Sequence, residues 1–163
     1  MVIGASNSYL KSNLEVVDIS SNNKINLKRS LQNGQIQIYQ SSYRGSYYSI
    51  IRDSLRNAAL GRKVLLVQFM KGGVKQGISN PIKLCGNLTW IRASHSFDQY
   101  DNEEIENNKN LKNSIHESIL ELWNFCKKEL LSGGSDQIIL DEIFPAIKMK
   151  IIDKDDLIST LEN

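Results

Sequence analysis

From Gly34 onward the chain alternates short apolar runs with longer stretches in which apolar residues return every three or four positions. Ile36 and Ile38 alternate with Gln35 and Gln37 and lead into Tyr39, a pattern that predicts a strand opened by Gly34. Over 46–60, Ile50, Ile51, Leu55, Ala58 and Ala59 gather on one helical face, and Gly61 is placed to end that helix. Val64-Leu65-Leu66-Val67 has no alternation, as in strands covered on both faces. Leu88 to Ile91 predicts a third strand. A long helix over about 103–131 carries Leu111, Ile115, Ile119, Leu122, Phe125 or Cys126, and Leu130 on one stripe, with charges opposite. Ser132-Gly133-Gly134-Ser135 stops it, and Gln137 to Leu140 is a further buried strand ending in Asp141-Glu142. Pro145 should break the segment after that strand, and Asp153 can cap a last helix running to about Leu161.

Strands alternating with helices predict an α/β domain, with a mainly parallel sheet flanked by helices on both faces. Ligands of such sheets bind beyond the carboxyl ends of the strands. Three loops fall there, 40–46, 68–79 and 141–145, and any site should be built from them. Residues 1–33 are rich in Asn and Ser, with Val16, Val17 and Ile19 the only compact apolar group. That composition predicts a flexible N-terminal arm. It is either an untethered tail or an arm that folds over a site. Residues 34–163 then form one domain, which the total of 163 residues suits.

A formal charge of +2 gives no global attraction to nucleic acid or to a membrane surface. Tyr39, Tyr43, Arg44, Tyr47, Tyr48, Arg52, Arg56 and Arg62 mix rings with cations, as single-strand-binding surfaces do. At this net charge a solvated face is the simpler reading, and no nucleic-acid partner is expected. Cys85 and Cys126 are far apart and form neither a disulfide framework nor a zinc motif, which suits a reducing cytoplasm. No apolar run reaches the length of a membrane span, and the start of the chain lacks a basic segment ahead of its apolar residues. His95 and His116 stand alone, without ligands at metal spacing.

One string is more specific than the rest: Val67-Gln68-Phe69-Met70-Lys71-Gly72. Together with Gly34 and its strand, Arg56, Gly61, Val64, Trp123 and Leu140-Asp141-Glu142, it resembles the ATP:corrinoid adenosyltransferases. The resemblance covers roughly 34–163. It implies a P-loop NTPase-like three-layer fold and the transfer of the adenosyl group of ATP to reduced cobalamin, with Mg²⁺ on the triphosphate. In that role Ser41, Ser42, Tyr43, Arg44, Gly45, Ser46 and Tyr47 would bind the nucleotide. Asp141 and Glu142 would hold the metal, and Phe97 and Lys71 would face the corrinoid. No catalytic acid or base is implied, because the nucleophile is the cobalt of the substrate.

The chain departs from the family at the phosphate loop. Where the family has T-G-N-G-K-G-K-T-T, this chain has Gln40 to Tyr48, with Ser46 at the lysine position and Tyr47 at the metal-binding threonine. Such a loop works by turning backbone N–H groups around the phosphates, which glycine permits at low cost. Gln99 stands where the family's corrin-facing Trp would be, two residues after Phe97. The family also continues into a further strand ending T-G-R, whereas this sequence ends at Asn163, so a second copy in a homodimer is expected to cover the sheet edge. Two readings are open: an adenosyltransferase with a remodelled loop, or a non-catalytic relative that binds corrinoid or nucleotide or serves as a partner subunit.

Overall fold

The unalternating run Val64–Gln68 forms strand β3, and every one of its side chains is buried. A strand buried on both faces can satisfy its backbone only by pairing on both edges. It does so with β5 (Leu88–Arg92) and β6 (Gln137–Asp141), each parallel to it. The computed structural model describes residues 2–6, 34–40, 48–72, 74–94 and 109–162. Around the parallel centre lie β4 (Ile82–Leu84), antiparallel to β5, and β1 (Val2–Ser6), antiparallel to β6. The strand β2 (Gln35–Tyr39) pairs antiparallel with β1, giving a six-stranded order β2-β1-β6-β3-β5-β4.

Helices cover both faces. On one, Leu65, Val67, Ile91, Ile138 and Leu140 pack with Ile119, Leu122 and Trp123 of α2 (Lys109–Ser132), Ile143 and Ala146 of α3 (Ile143–Lys148), and Leu157 of α4 (Lys154–Glu162). On the other, Val64, Leu66, Leu88 and Ile139 pack with Ile50 and Ala58 of α1 (Tyr48–Ala59). The fold is therefore the expected three-layer α/β arrangement. The alternation of core membership along β3 and β6, odd against even, is the pleat itself.

The helix ends agree with the sequence signals. Gly61 takes a left-handed φ of 91° after α1; its N–H bonds Ala58 O at 3.0 Å, and Arg62 N–H bonds Asn57 O at 3.1 Å. That pair of bonds closes the last turn and needs a residue free of Cβ strain. Asp153 caps α4, its Oδ1 accepting the N–H groups of Asp155 and Asp156 at 2.7 and 3.0 Å. Near the amino ends of the parallel strands, Lys63 N–H donates to Asp136 Oδ2 at 2.8 Å, and Asn57 Nδ2 donates to Gln137 Oε1 at 2.9 Å.

Three features differ from the sequence reading. Within the predicted arm, Val2–Ser6 is a strand inserted between β2 and β6; the rest of 1–33 lies outside the described residues. A five-residue stretch can dock this way because β6 offers an open ladder along its whole length. The sequence pattern does not predict the short β4, since three residues show no period; it is fixed by a tight return through Cys85 and Gly86, both at positive φ. Pro145 does not break the chain but sits in the first turn of α3, where its missing N–H has no intrahelical partner to lose. The long helix is seen from Lys109, and its predicted start at 103–108 lies outside the described residues.

The two helices α2 and α4 are joined by one polar contact set. Trp123 Nε1 donates to Asp156 Oδ2 at 2.7 Å, and Lys127 Nζ donates to the same oxygen at 2.9 Å. The Trp123 hydrogen bond first, and Lys127 second, hold the Asp156 carboxyl below the ordinary range. A carboxyl with a lowered folded value contributes stability above its unfolded value near pH 4, and loses it as pH falls through the folded value. Asp156→Asn is therefore expected to flatten the acid limb of stability against pH. Urea unfolding between about pH 6 and about pH 3 checks this; parallel curves for variant and wild type would remove Asp156 from the acid response.

Candidate functional site

β2, β3, β5 and β6 run in one direction, so their carboxyl ends share one edge of the sheet. Along that edge the register sets Arg92 opposite Gln68 and Gln68 opposite Asp141. Residues directly opposite point to the same face. The three therefore stand on the α1 side, with Trp90 one pleat below Arg92 and opposite Leu66.

Their side chains form a chain of contacts. Trp90 Nε1 donates to Gln68 Oε1 at 2.9 Å. Gln68 Nε2 donates to Asp141 Oδ2 at 2.7 Å, and Lys71 Nζ donates to the same oxygen at 3.0 Å. Both amide atoms of Gln68 are thus fixed by their neighbours. Asp141 Oδ2 receives two donors, whereas Oδ1 is buried and has no hydrogen-bond partner among the described residues. Asp141 is only 3% exposed, so an open position on its carboxylate is costly unless something fills it.

Glu142 comes next in a left-handed conformation, φ 59° and ψ 33°, uncommon for a residue with a side chain. The turn brings its Oε1 to 3.9 Å from Lys71 Nζ. Lys71 therefore lies between two buried carboxylates, held there by the turn after β3, where Phe69 N–H bonds Asp141 O at 3.0 Å. On the β5 side, the Arg92 guanidinium lies over the Trp90 ring, 4.6 Å from its centroid. Gln76 ties the loop after β3 to β5, its carbonyl accepting Arg92 N–H at 2.7 Å and its Nε2 donating to Trp90 O at 3.1 Å.

Of the residues singled out in the sequence, Lys71, Asp141 and Glu142 come together here. Ser41, Ser42, Tyr43, Arg44, Gly45, Ser46, Tyr47 and Phe97 lie outside the described residues. Tyr39 stands two strands from Asp141, through Val2, so β1 separates the strand that leads into 41–47 from the carboxylate strand. Gln68, Trp90 and Arg92 escape the sequence reading as a group. Gln68 stands in the Val67–Gly72 string without a role assigned to it, and the signal for Trp90 and Arg92 is alternation from Leu88, which marks a shared face but not what it meets. Elsewhere, His116 is exposed, and burial pushes the Cys126 thiol far above its ordinary range. Among the described residues no helix is long and apolar enough to cross a membrane.

The family model for ATP:corrinoid adenosyltransferase BtuR/CobO/CobP matches residues 32–163. The chain belongs to the ATP:corrinoid adenosyltransferase family. The match spans β2 through α4 and so takes in the whole edge formed by β3, β5 and β6. The family's substrates are ATP and a corrinoid. No curated protein and no solved structure matches the chain.

Removing the central amide tests how the contacts depend on one another. Gln68→Met keeps the volume but strips the acceptor from Trp90 Nε1 and one donor from Asp141. Stability in urea is expected to fall by about 1–3 kcal/mol. An unchanged midpoint would show that the chain of contacts carries no net stability.

Proposed function

We propose that this chain binds MgATP and a reduced corrinoid at the carboxyl edge of β3, β5 and β6 and transfers the adenosyl group from one to the other. The observation that carries the reading is Asp141 Oδ1, a buried carboxylate oxygen without a donor among the described residues. A hard, oxygen-only acceptor of this kind suits Mg²⁺, taken directly or through a water, and Glu142 adds a second carboxylate beside it. Mg²⁺ held there would neutralise charge on the triphosphate as it leaves. Ser41 to Tyr47 would meet the nucleotide through backbone N–H groups, with Arg44 as a cation. Phe97 and Lys71 would lie on the corrinoid side.

In the family's reaction the cobalt of the reduced corrinoid attacks C5′ of ATP. The cobalt–carbon bond forms as the C5′–oxygen bond breaks, and triphosphate departs with the electron pair. No proton moves, so the residues here need only bind, align and balance charge. Lys71 and Gln68 hold Asp141 in one orientation before any ligand arrives, which removes an ordering cost from binding. The unpaired Cys85 and Cys126 suit a reducing cytoplasm as the place of action.

A second reading rests on the loop sequence. Ser46 and Tyr47, where the family has lysine and threonine, favour a chain that binds corrinoid or nucleotide without turnover, or acts as a partner subunit. Calorimetry of ATP with and without Mg²⁺ decides first. Metal-dependent binding that Asp141→Ala removes is the expected result, and adenosylcobalamin formation from chemically reduced cobalamin then separates transfer from binding alone. Absence of binding up to about millimolar ATP, on the affinity scale where interactions become marginal, would overturn the nucleotide reading.

A further inference from the structure

The Arg92 guanidinium has no hydrogen bond or ion pair among the described residues. Its Nε is buried without an acceptor, and among the described residues the guanidinium lies over the Trp90 ring. A buried cationic donor left open is as unusual as a buried carboxylate oxygen left open, and both occur on the same row of the sheet. Arg92 meets Trp90 through its ring, and Trp90 is joined to Asp141 by hydrogen bonds through Gln68. The edge therefore presents one unfilled donor and one unfilled acceptor, two strands apart. A phosphate carrying a metal ion offers the complement: anionic oxygens for the guanidinium and a cation for the carboxylate.

The phosphate loop lacks its lysine, with Ser46 in that place. We infer that Arg92 binds a phosphate oxygen of the substrate and supplies, from the end of β5, positive charge in place of the lysine that the loop lacks. This rests on the function proposed above, because it takes the ligand to be phosphate-bearing. The Trp90 ring holds the guanidinium in place, and its fork of donors suits an oxyanion in a way that a lysine on the same strand could not imitate. Two substrates bring such oxygens, the triphosphate of ATP and the phosphodiester in the nucleotide loop of a complete corrinoid.

The test uses the full chain as wild type, Arg92→Met and Arg92→Lys. Each is titrated calorimetrically with inorganic tripolyphosphate plus Mg²⁺, with cobalamin, and with cobinamide, which lacks the phosphodiester. Thermal melts run alongside to separate folding from binding. Arg92→Met is expected to weaken one phosphate-bearing probe by at least about tenfold, the loss of one charge-assisted hydrogen bond. Arg92→Lys should lose less, keeping charge without the fork. Loss on tripolyphosphate assigns Arg92 to ATP. Loss of the preference for cobalamin over cobinamide assigns it to the corrinoid. A folded Arg92→Met protein that binds every probe as tightly as wild type overturns the inference and leaves Arg92 as packing on Trp90; Arg92→Lys answers the same question if the methionine variant does not fold. Wild type that binds none of the probes overturns the proposed function and this inference with it.

Discussion

Everything at the carboxyl edge depends on β3 being paired on both sides while buried on both faces. Its backbone has no water to turn to, so β5 and β6 must lie beside it in register. That register alone puts Gln68 between Arg92 and Asp141. The apolar residues below, Val64 to Val67, contribute to both cores at once and fix the height of the row. Movement of Gln68 relative to Asp141 would require slipping a strand, which would turn every side chain to the wrong face.

On that frame the polar residues are arranged as a partly filled network. Gln68 and Lys71 occupy one oxygen of Asp141 and leave the other. Breaking a buried ion pair costs more than forming it gains, so Asp141, Glu142 and Lys71 are best read as a unit whose parts need one another. The left-handed turn at Glu142 belongs to the same unit, since an ordinary conformation there would carry the second carboxylate elsewhere. Asp141 Oδ1 is the position in this network that the described residues leave open.

The placement of β1 decides how far β2 stands from Asp141. It fills the ladder of β6 and moves β2 one strand outward. Ile38 on β2 remains 64% exposed, so that side of the sheet is apolar beyond the helices that cover the centre. Adjacent strands are about 4.8 Å apart, so two spacings put the backbone at Tyr39 about 10 Å from that at Asp141.

The sequence by itself determined the layered α/β fold, the strands at Val64, Leu88 and Gln137, the caps at Gly61 and Asp153, and the family. Those come from period, from residue chemistry at helix ends, and from one specific string around Lys71, all local properties of the chain. It also set the loops that carry Lys71 and Asp141-Glu142 on one edge, because strand ends in a parallel sheet share it, but not the ion pairs between them. It did not show β1 or β4, whose five and three residues are held by neighbours rather than by their own pattern. Nor did it show the joining of Trp90, Gln68 and Arg92 to Asp141, or which carboxylate oxygen is left open. Those depend on cross-strand register and side-chain direction, which come into being only when residues far apart in sequence are brought side by side.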